Sequence, residues 1–301
     1  MSPSRTSYGA AVAGLVVGAV SISFAPILVR LADTGPAAAG FWRTALALPV
    51  LAIAAMGARR SGGGGGPQAP SVAVLIAGAF FALDLGFWHY GIKLTTVANA
   101  TILANLSPLV VTAVAWVLYR ERPRRSFLVG MLLALAGVWA IASAKGGGGA
   151  NPRLGDALSA STSIWYAAYM LIVRGARARQ GTVQVMLWST AASAPLLLVA
   201  ALLLGEPVWP ASTGGWMACL GLAAVHVTGQ GSIAWALGRL PAPTASVVVL
   251  VQPVLAALLG WMIFAEPVGP QQMLGAGAAL AGVIVAQFAA ARSAREHGQA
   301  A

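Results

Sequence analysis

The chain has 301 residues, 58% of them hydrophobic and only 8% charged, with a net charge of +11. Soluble domains carry about a quarter charged residues, so a soluble fold of this length could not cover its apolar surface, and the composition points to lipid. The excess cations do not point to nucleic acid: they fall singly and in pairs between apolar runs, as membrane topology signals do.

Apolar runs of about 20 residues, the length that crosses a bilayer, predict ten spans near 8–31, 36–57, 71–92, 95–118, 125–144, 153–174, 182–204, 213–236, 242–264 and 271–292. The first run follows a single arginine, Arg5, as a signal peptide would. It is too long for the apolar stretch of a signal and more spans follow, so it reads as an uncleaved first helix. Most connections are too short to hold a domain. Two glycine runs, Gly62 to Gly66 and Gly146 to Gly149, read as flexible linkers, the second near the middle of the chain. The single cysteine, Cys219, has no partner for an intramolecular disulfide and reads as a small packing residue.

Orientation follows from the basic residues. With the N-terminus inside, thirteen cations, among them Arg5, Arg59, Arg60, Arg120 and Arg292, fall on inner loops. Four fall outside, Arg30, Lys93, Lys145 and Arg153, and Arg43 remains within the membrane. The bias predicts a multi-pass protein of the cell (inner) membrane with both termini cytoplasmic.

The chain repeats itself at an offset of 145 residues. Ala134-Leu135-Ala136-Gly137-Val138 recurs as Ala279-Leu280-Ala281-Gly282-Val283. Gly86 meets Gly231, Pro108 meets Pro253, Trp116 meets Trp261, Glu121 meets Glu266 and Gly130 meets Gly275. One residue further, Trp42 meets Trp188, Thr44 meets Thr190 and Pro49 meets Pro195. The expected units are residues 1–146 and 147–301, each with five spans. Five is odd, so the second copy enters the membrane from the opposite side. The expected fold is therefore an all-α membrane protein of ten transmembrane helices in two inverted five-helix repeats. That arrangement suits alternating access, with the site near the midplane between the halves.

Polar groups within a bilayer are costly and each needs a reason. Asp84 and Arg43 are the carboxylate and the cation deepest in the spans. At ~1.5 Å per residue they lie at similar depths, ~12 and ~10 Å from the outer helix ends. They read either as a structural ion pair between spans two and three or as a site in which Asp84 meets an ammonium or a proton and Arg43 a carboxylate. His226, near the middle of span eight, is either a hydrogen-bonded core residue or a proton relay. His89, near a helix end, reads as interfacial. In span four Thr101, Asn105, Pro108 and Thr112 share a helical face with Ser107 nearby, serving as helix–helix glue or facing a wet cavity. Pro108 frees a backbone carbonyl near Ala104, and Pro253 does the same beside Gln252 in span nine. Trp88 lies one turn after Asp84. Ser161, Trp165 and Tyr169, with Tyr166 alongside, stripe span six as core packing or as the aromatic wall of a cavity.

Other features read as structural. Glu121 and Glu266 stand where a carboxylate can cap the following helix. Gly130, Ala134, Gly137 and their counterparts Gly275, Ala279 and Gly282 allow close helix packing in spans five and ten. No His, Cys or acidic pair has metal-ligand spacing and no phosphate loop occurs, so no metal or other cofactor is expected. No nucleophile–base pair is evident in the spans, so the chain does not read as an enzyme.

Arg43-Thr44-Ala45, Asn105-Leu106-Ser107-Pro108, Glu121 and the run from Gly130 to Val138 resemble the EamA family of the drug/metabolite transporter superfamily. The echo in the second half is Gln252-Pro253, Glu266 and the run from Gly275 to Val283. The likeness covers both halves, and Ile164-Trp165-Tyr166-Ala167-Ala168-Tyr169 makes the chain most similar to aromatic amino-acid exporters of the YddG type. The resemblance implies ten helices, an inverted repeat and export from the cytoplasm. Small multidrug relatives rely on a glutamate in their first span, and this first span has no acidic residue.

The expected function is a secondary, non-ATP exporter of small metabolites, most of all amino acids with aromatic or large apolar side chains. Expected substrate-binding residues are Asp84, Trp88, Asn105, Ser107, Trp165, Tyr166 and Tyr169, with Arg43, Asp84 and His226 as candidates for coupling or ion pairing. The expected partners are a small zwitterion and the lipid bilayer, with no obligate protein partner. The alternatives are another cargo on the same fold, such as nucleobases, cationic drugs or sugar conjugates, and then an intramembrane enzyme or receptor.

Overall fold

The structure is a computed structural model that describes residues 5–60, 69–107, 109–110, 114, 117, 125–143, 149–176, 180–232, 235, 251–266 and 268–299. Among the described residues it is all-helical. The helices in chain order are α1 (Arg5–Ser23), α2 (Ala25–Leu31), α3 (Pro36–Ala45), α4 (Ala47–Arg60), α5 (Val72–Leu94) and α6 (Val97–Ala104). Then follow α7 (Arg125–Ser143), α8 (Pro152–Ala176), α9 (Thr182–Leu203), α10 (Thr213–Val225), α11 (Val251–Phe264) and α12 (Pro270–Gln299). A π-helical segment, His226–Gln230, continues directly from α10.

The first two expected spans are each broken once. α1 gives way to α2 at Phe24, just before Pro26, whose ring cannot continue the upstream hydrogen bonding. α3 gives way to α4 at Leu46, just before Pro49. Side-chain caps fix several starts: Ser71 accepts from Val74 N, Thr96 from Asn99 N and Ser212 from Gly215 N.

Four helical stretches are long and apolar enough to cross a bilayer: Ala13–Leu31, Pro36–Gly57, Val72–Leu94 and Thr182–Leu203. Arg125–Ala140, Gln252–Phe264 and Pro270–Ala286 are shorter apolar helices. The other expected spans are shorter or more polar here, as α6, α8 and α10 are, or run into residues outside the description. Leu203, Leu274 and Trp139 stand at least three-quarters exposed. Exposed side chains of this size and polarity suit a lipid-facing surface.

The most extensive helix contact joins α7 to α12. A Cβ on Gly130 would stand 2.5 Å from the backbone N of Ala286 and 2.7 Å from Gly282 O. Gly137 faces Gly275 and Ala279, while Gly282 faces Gly130 and Ala134. Adding 145 to one set of positions yields the other, so the contact is self-complementary. α5 packs on α8 and α9, α3 on α9 and α10, and α11 on α6.

Five connections gather at one end of the bundle. Arg30 in α2 donates to Ile92 O at 3.0 Å and to Thr95 O, and pairs with Glu266 after α11. Glu206 after α9 accepts from Ala38 N at 2.9 Å and Ala37 N at 3.3 Å at the start of α3, and also from the Tyr90 hydroxyl. Lys93 donates to Ala32 O at 2.9 Å. Asn151 N donates to Leu94 O at 3.1 Å. Asp33 accepts from Ser212 N at 2.8 Å and Ala211 N at 3.2 Å.

Glu266 departs from its expected role. It caps α6, accepting from Val97 N at 2.9 and 3.1 Å, rather than the following helix α12. The reason is reach: the loop carries the carboxylate back across the bundle end to a helix start left open. Its repeat counterpart Glu121 lies outside the described residues, as do Pro108 and Thr112.

Candidate functional site

α3, α5, α8, α9 and the π-helical segment converge on Arg43. Its side chain is 1% exposed, and neither Nε nor Nη1 has a hydrogen-bond partner. The guanidinium lies over the Trp88 ring, 5.9 Å from its centroid. Asp84 is half-buried one turn before Trp88. The two charges interact electrostatically without a direct ion pair between them. Arg43 is therefore a buried cation with two nitrogens the protein leaves free, which costs several kcal/mol unless something else supplies acceptors.

Aromatic rings line the same region. Phe81 packs on Tyr169 at 4.9 Å and on the His226 ring at 5.4 Å. Tyr166 and Tyr169 lie 6.0 Å apart. Trp165 stacks on Phe80 at 6.3 Å and meets the edge of Phe87 at 5.7 Å. The indole N–H groups of Trp88 and Trp165 are buried without a partner. The structure thus draws Asp84, Trp88, Tyr166 and Tyr169 together with Arg43 and His226, and it leaves Trp165 at the side of this group against Phe80 and Phe87.

Asn105 and Ser107 belong to another environment. Asn105 donates back to Thr101 O at 2.8 Å and Thr101 donates to Val97 O at 2.7 Å, so these side chains satisfy their own helix. Ser107 is half-buried near the same helix end. On span six Ser161 likewise turns back, to Leu158 O at 2.6 Å.

His226 is hydrogen-bonded through Nε2 to Thr190 at 3.0 Å, while Nδ1 is buried without a partner. His89 is not interfacial: it is fully buried and its Nδ1 stands 3.0 Å from Pro36 O. Gly40 packs beside it: a Cβ there would meet that nitrogen at an ordinary 3.5 Å and press on the Leu197 methyls at 3.2 and 3.3 Å.

Sequence reasoning passed over several groups. Gln230 pairs with the Tyr166 hydroxyl, and Ser189 with that of Tyr169. The available signal was a polar residue inside an expected span, and Gln230 sits beside the glycine repeat mark Gly231. The π-helical segment that carries Gln230 and His226 leaves no pattern in hydrophobicity. Such insertions are frequent at functional sites because they rotate side chains off the regular helical face. Asp156 was also missed. It accepts from Thr95 Oγ1 at 2.7 Å and from Asn99 Nδ2 at 3.2 Å, tying α8 to the start of α6.

A separate cavity of about 240 Å³ opens between α6, α11 and α12, lined by Ala98, Asn99, Ile102, Pro253, Ala257 and Gln272. Its polar groups are committed, Asn99 to Asp156 and Gln272 to Gly269 N at 3.0 Å.

The comparisons with known proteins agree with a transport protein. The family model described as the EamA-like transporter family matches twice, over residues 9–143 and 153–288. A Bacillus subtilis protein named "Uncharacterized transporter YwfM" is 26% identical over 70% of this chain and 72% of its own. An Archaeoglobus fulgidus "Uncharacterized transporter" is 24% identical over 72% of this chain and 77% of its own. A solved crystal structure, described only as that of a protein, shares the fold with a TM-score of 0.65 at 23% identity, over 96% of this chain and 99% of the other. With both halves matched, the chain belongs to the EamA-like transporter family of the drug/metabolite transporter superfamily, as a multi-pass membrane protein.

Proposed function

We propose that this transporter exports amino acids, with a preference for aromatic or large apolar side chains, from the cytoplasm across the inner membrane by alternating access. The observation that carries the reading is Arg43: a buried guanidinium with free Nε and Nη1 donors, set over the Trp88 face and opposed by the Asp84 carboxylate. A carboxylate matches the guanidinium fork, and an ammonium matches Asp84. The neighbouring rings of Phe81, Tyr166 and Tyr169 favour a planar or large apolar side chain. Trp165 at the side of this group, and Asn105 and Ser107 apart from it at the end of α6, are further proposed contacts along the substrate's path.

The proposed architecture is two inverted five-helix repeats, 1–146 and 147–301, with both termini cytoplasmic. The reciprocal glycine contact between α7 and α12 supports it, because a pseudo-two-fold axis between the halves produces such a contact. The test is uptake of radiolabelled amino acids into proteoliposomes holding the purified protein. Tryptophan, phenylalanine or leucine flux above that of empty liposomes is expected. Folded protein that moves no amino acid refutes the reading.

A further inference from the structure

We infer that Arg30 and Glu266 form a gate at the gathered end of the bundle, held shut in this structure and broken once in each transport cycle. Glu266 comes from the second half of the chain, and its partners among the described residues, Arg30 and Val97, lie in the first. Its carboxylate pairs with Arg30 and accepts from Val97 N, while Arg30 also holds Ile92 O and Thr95 O. One ion pair therefore links α2, the α5–α6 junction and the segment after α11. Glu266 is buried, 7% exposed, but Arg30 is only half-buried, so water reaches one side of the pair. With 19% of the Arg30 side chain and 8% of the Glu266 side chain exposed, one edge of the pair meets water, and such a pair parts more readily than one sealed in the core. Such an interaction suits a contact that must form and break, whereas the backbone-to-backbone glycine packing of α7 on α12 suits a fixed axis.

The native Cys219 reports on this gate. It is fully buried in a cluster with Val29, Ala32, Trp88 and Ile92. Val29 and Ala32 flank Arg30, and Ile92 supplies one of its acceptors. Parting the gate uncovers this cluster from the gathered end, which the charge bias places outside the cell. The inference takes alternating access from the proposed function but does not depend on the cargo.

The experiment is labelling of Cys219 in sealed, oriented vesicles by a membrane-impermeant maleimide added to either face. Arg30→Gln removes the pair and leaves Glu266 free to cap α6. Glu266→Gln removes the charge but keeps an acceptor for Val97 N. Both variants should label about tenfold faster or more than the unaltered protein from the gathered-end face, since a tenfold shift in population needs only the loss of one modest interaction. Arg30→Lys should fall between, because an ammonium keeps the charge but cannot hold Glu266 and both carbonyls with a planar fork. Labelling of both charge-removing variants at the unaltered rate overturns the gate, as does equal acceleration from both faces, which reports loosening of the whole bundle. If Arg30→Gln does not fold, Glu266→Gln carries the measurement. Because the assay needs no substrate, its failure leaves the amino-acid reading standing, and failure of amino-acid flux leaves the gate standing.

Discussion

The gathered end of the bundle and the interior around Arg43 treat polar groups in opposite ways. At the end, Asp33, Lys93, Glu206 and Glu266 each meet a partner within the chain. In the interior, Arg43 Nε and Nη1, the indole nitrogens of Trp88 and Trp165, and His226 Nδ1 meet none. Burying an unmade hydrogen bond costs about 1–3 kcal/mol, and more for a charged group. The contrast separates side chains whose polar groups are satisfied within the chain from those open to the proposed ligand, and each can be perturbed without the other.

Arg43→Met should have the largest effect on transport. It removes the proposed carboxylate contact and should lower amino-acid flux ~100-fold or more, as loss of a charge-assisted pair of bonds implies. It should leave thermal stability in detergent unchanged or raised, because burying a cation with two unpartnered nitrogens opposes folding. Glu206→Ala should do the reverse. It strands Ala37 N, Ala38 N and the Tyr90 hydroxyl, and should lower stability by about 2 kcal/mol or more in denaturant titration, with little change in the flux of protein that remains folded. Asp84→Asn keeps shape and loses charge. Its flux should fall about tenfold for zwitterions, with the loss in apparent affinity rather than folding; unchanged transport at every pH tested would make Asp84 a structural group.

The smallest effect belongs to Asp33→Asn. Hydrogen bonds from Ser212 and Ala211 hold the exposed Asp33 carboxylate below its ordinary value of 3.8, against a smaller opposing effect of desolvation. A carboxylate lowered in the folded state contributes stability above its ordinary value and loses it as pH falls through its own lower one. The melting temperatures of Asp33→Asn and the unaltered protein should therefore differ slightly near neutrality and converge in acid.

Much of this was legible in the sequence. Composition and run length led to a helical membrane protein, and the 145-residue offset located Gly130, Gly137 and Gly282, which the structure sets backbone to backbone. Asp84, Trp88, Tyr166, Tyr169 and Arg43 could be read because a polar or striped aromatic group in an apolar run is itself the signal. The breaks at Phe24 and Leu46 were foreshadowed by Pro26 and Pro49. Cross-chain pairing was not legible. Glu266 looks like a local cap until α6 is brought beside it, and Glu206 and Asp33 look like loop acids until folding gives them helix starts to bind. His89 looked interfacial because sequence depth counts residues from a helix end and says nothing of the neighbouring helices that bury it. The bond from Asn105 back to Thr101 O was not legible either, because it depends on the local turn, which hydrophobic periodicity does not record.

The central claim is that Arg43 recognises a carboxylate on a large apolar or aromatic metabolite. Proteoliposome uptake of tryptophan and leucine, set beside the amines that lack only their carboxyl groups, tests it most directly. The account predicts protein-dependent flux of the amino acids, flux of the amines at least about tenfold lower, and loss of that discrimination in Arg43→Met. Equal transport of acid and amine by the unaltered protein, or no flux of either by folded protein, would contradict it.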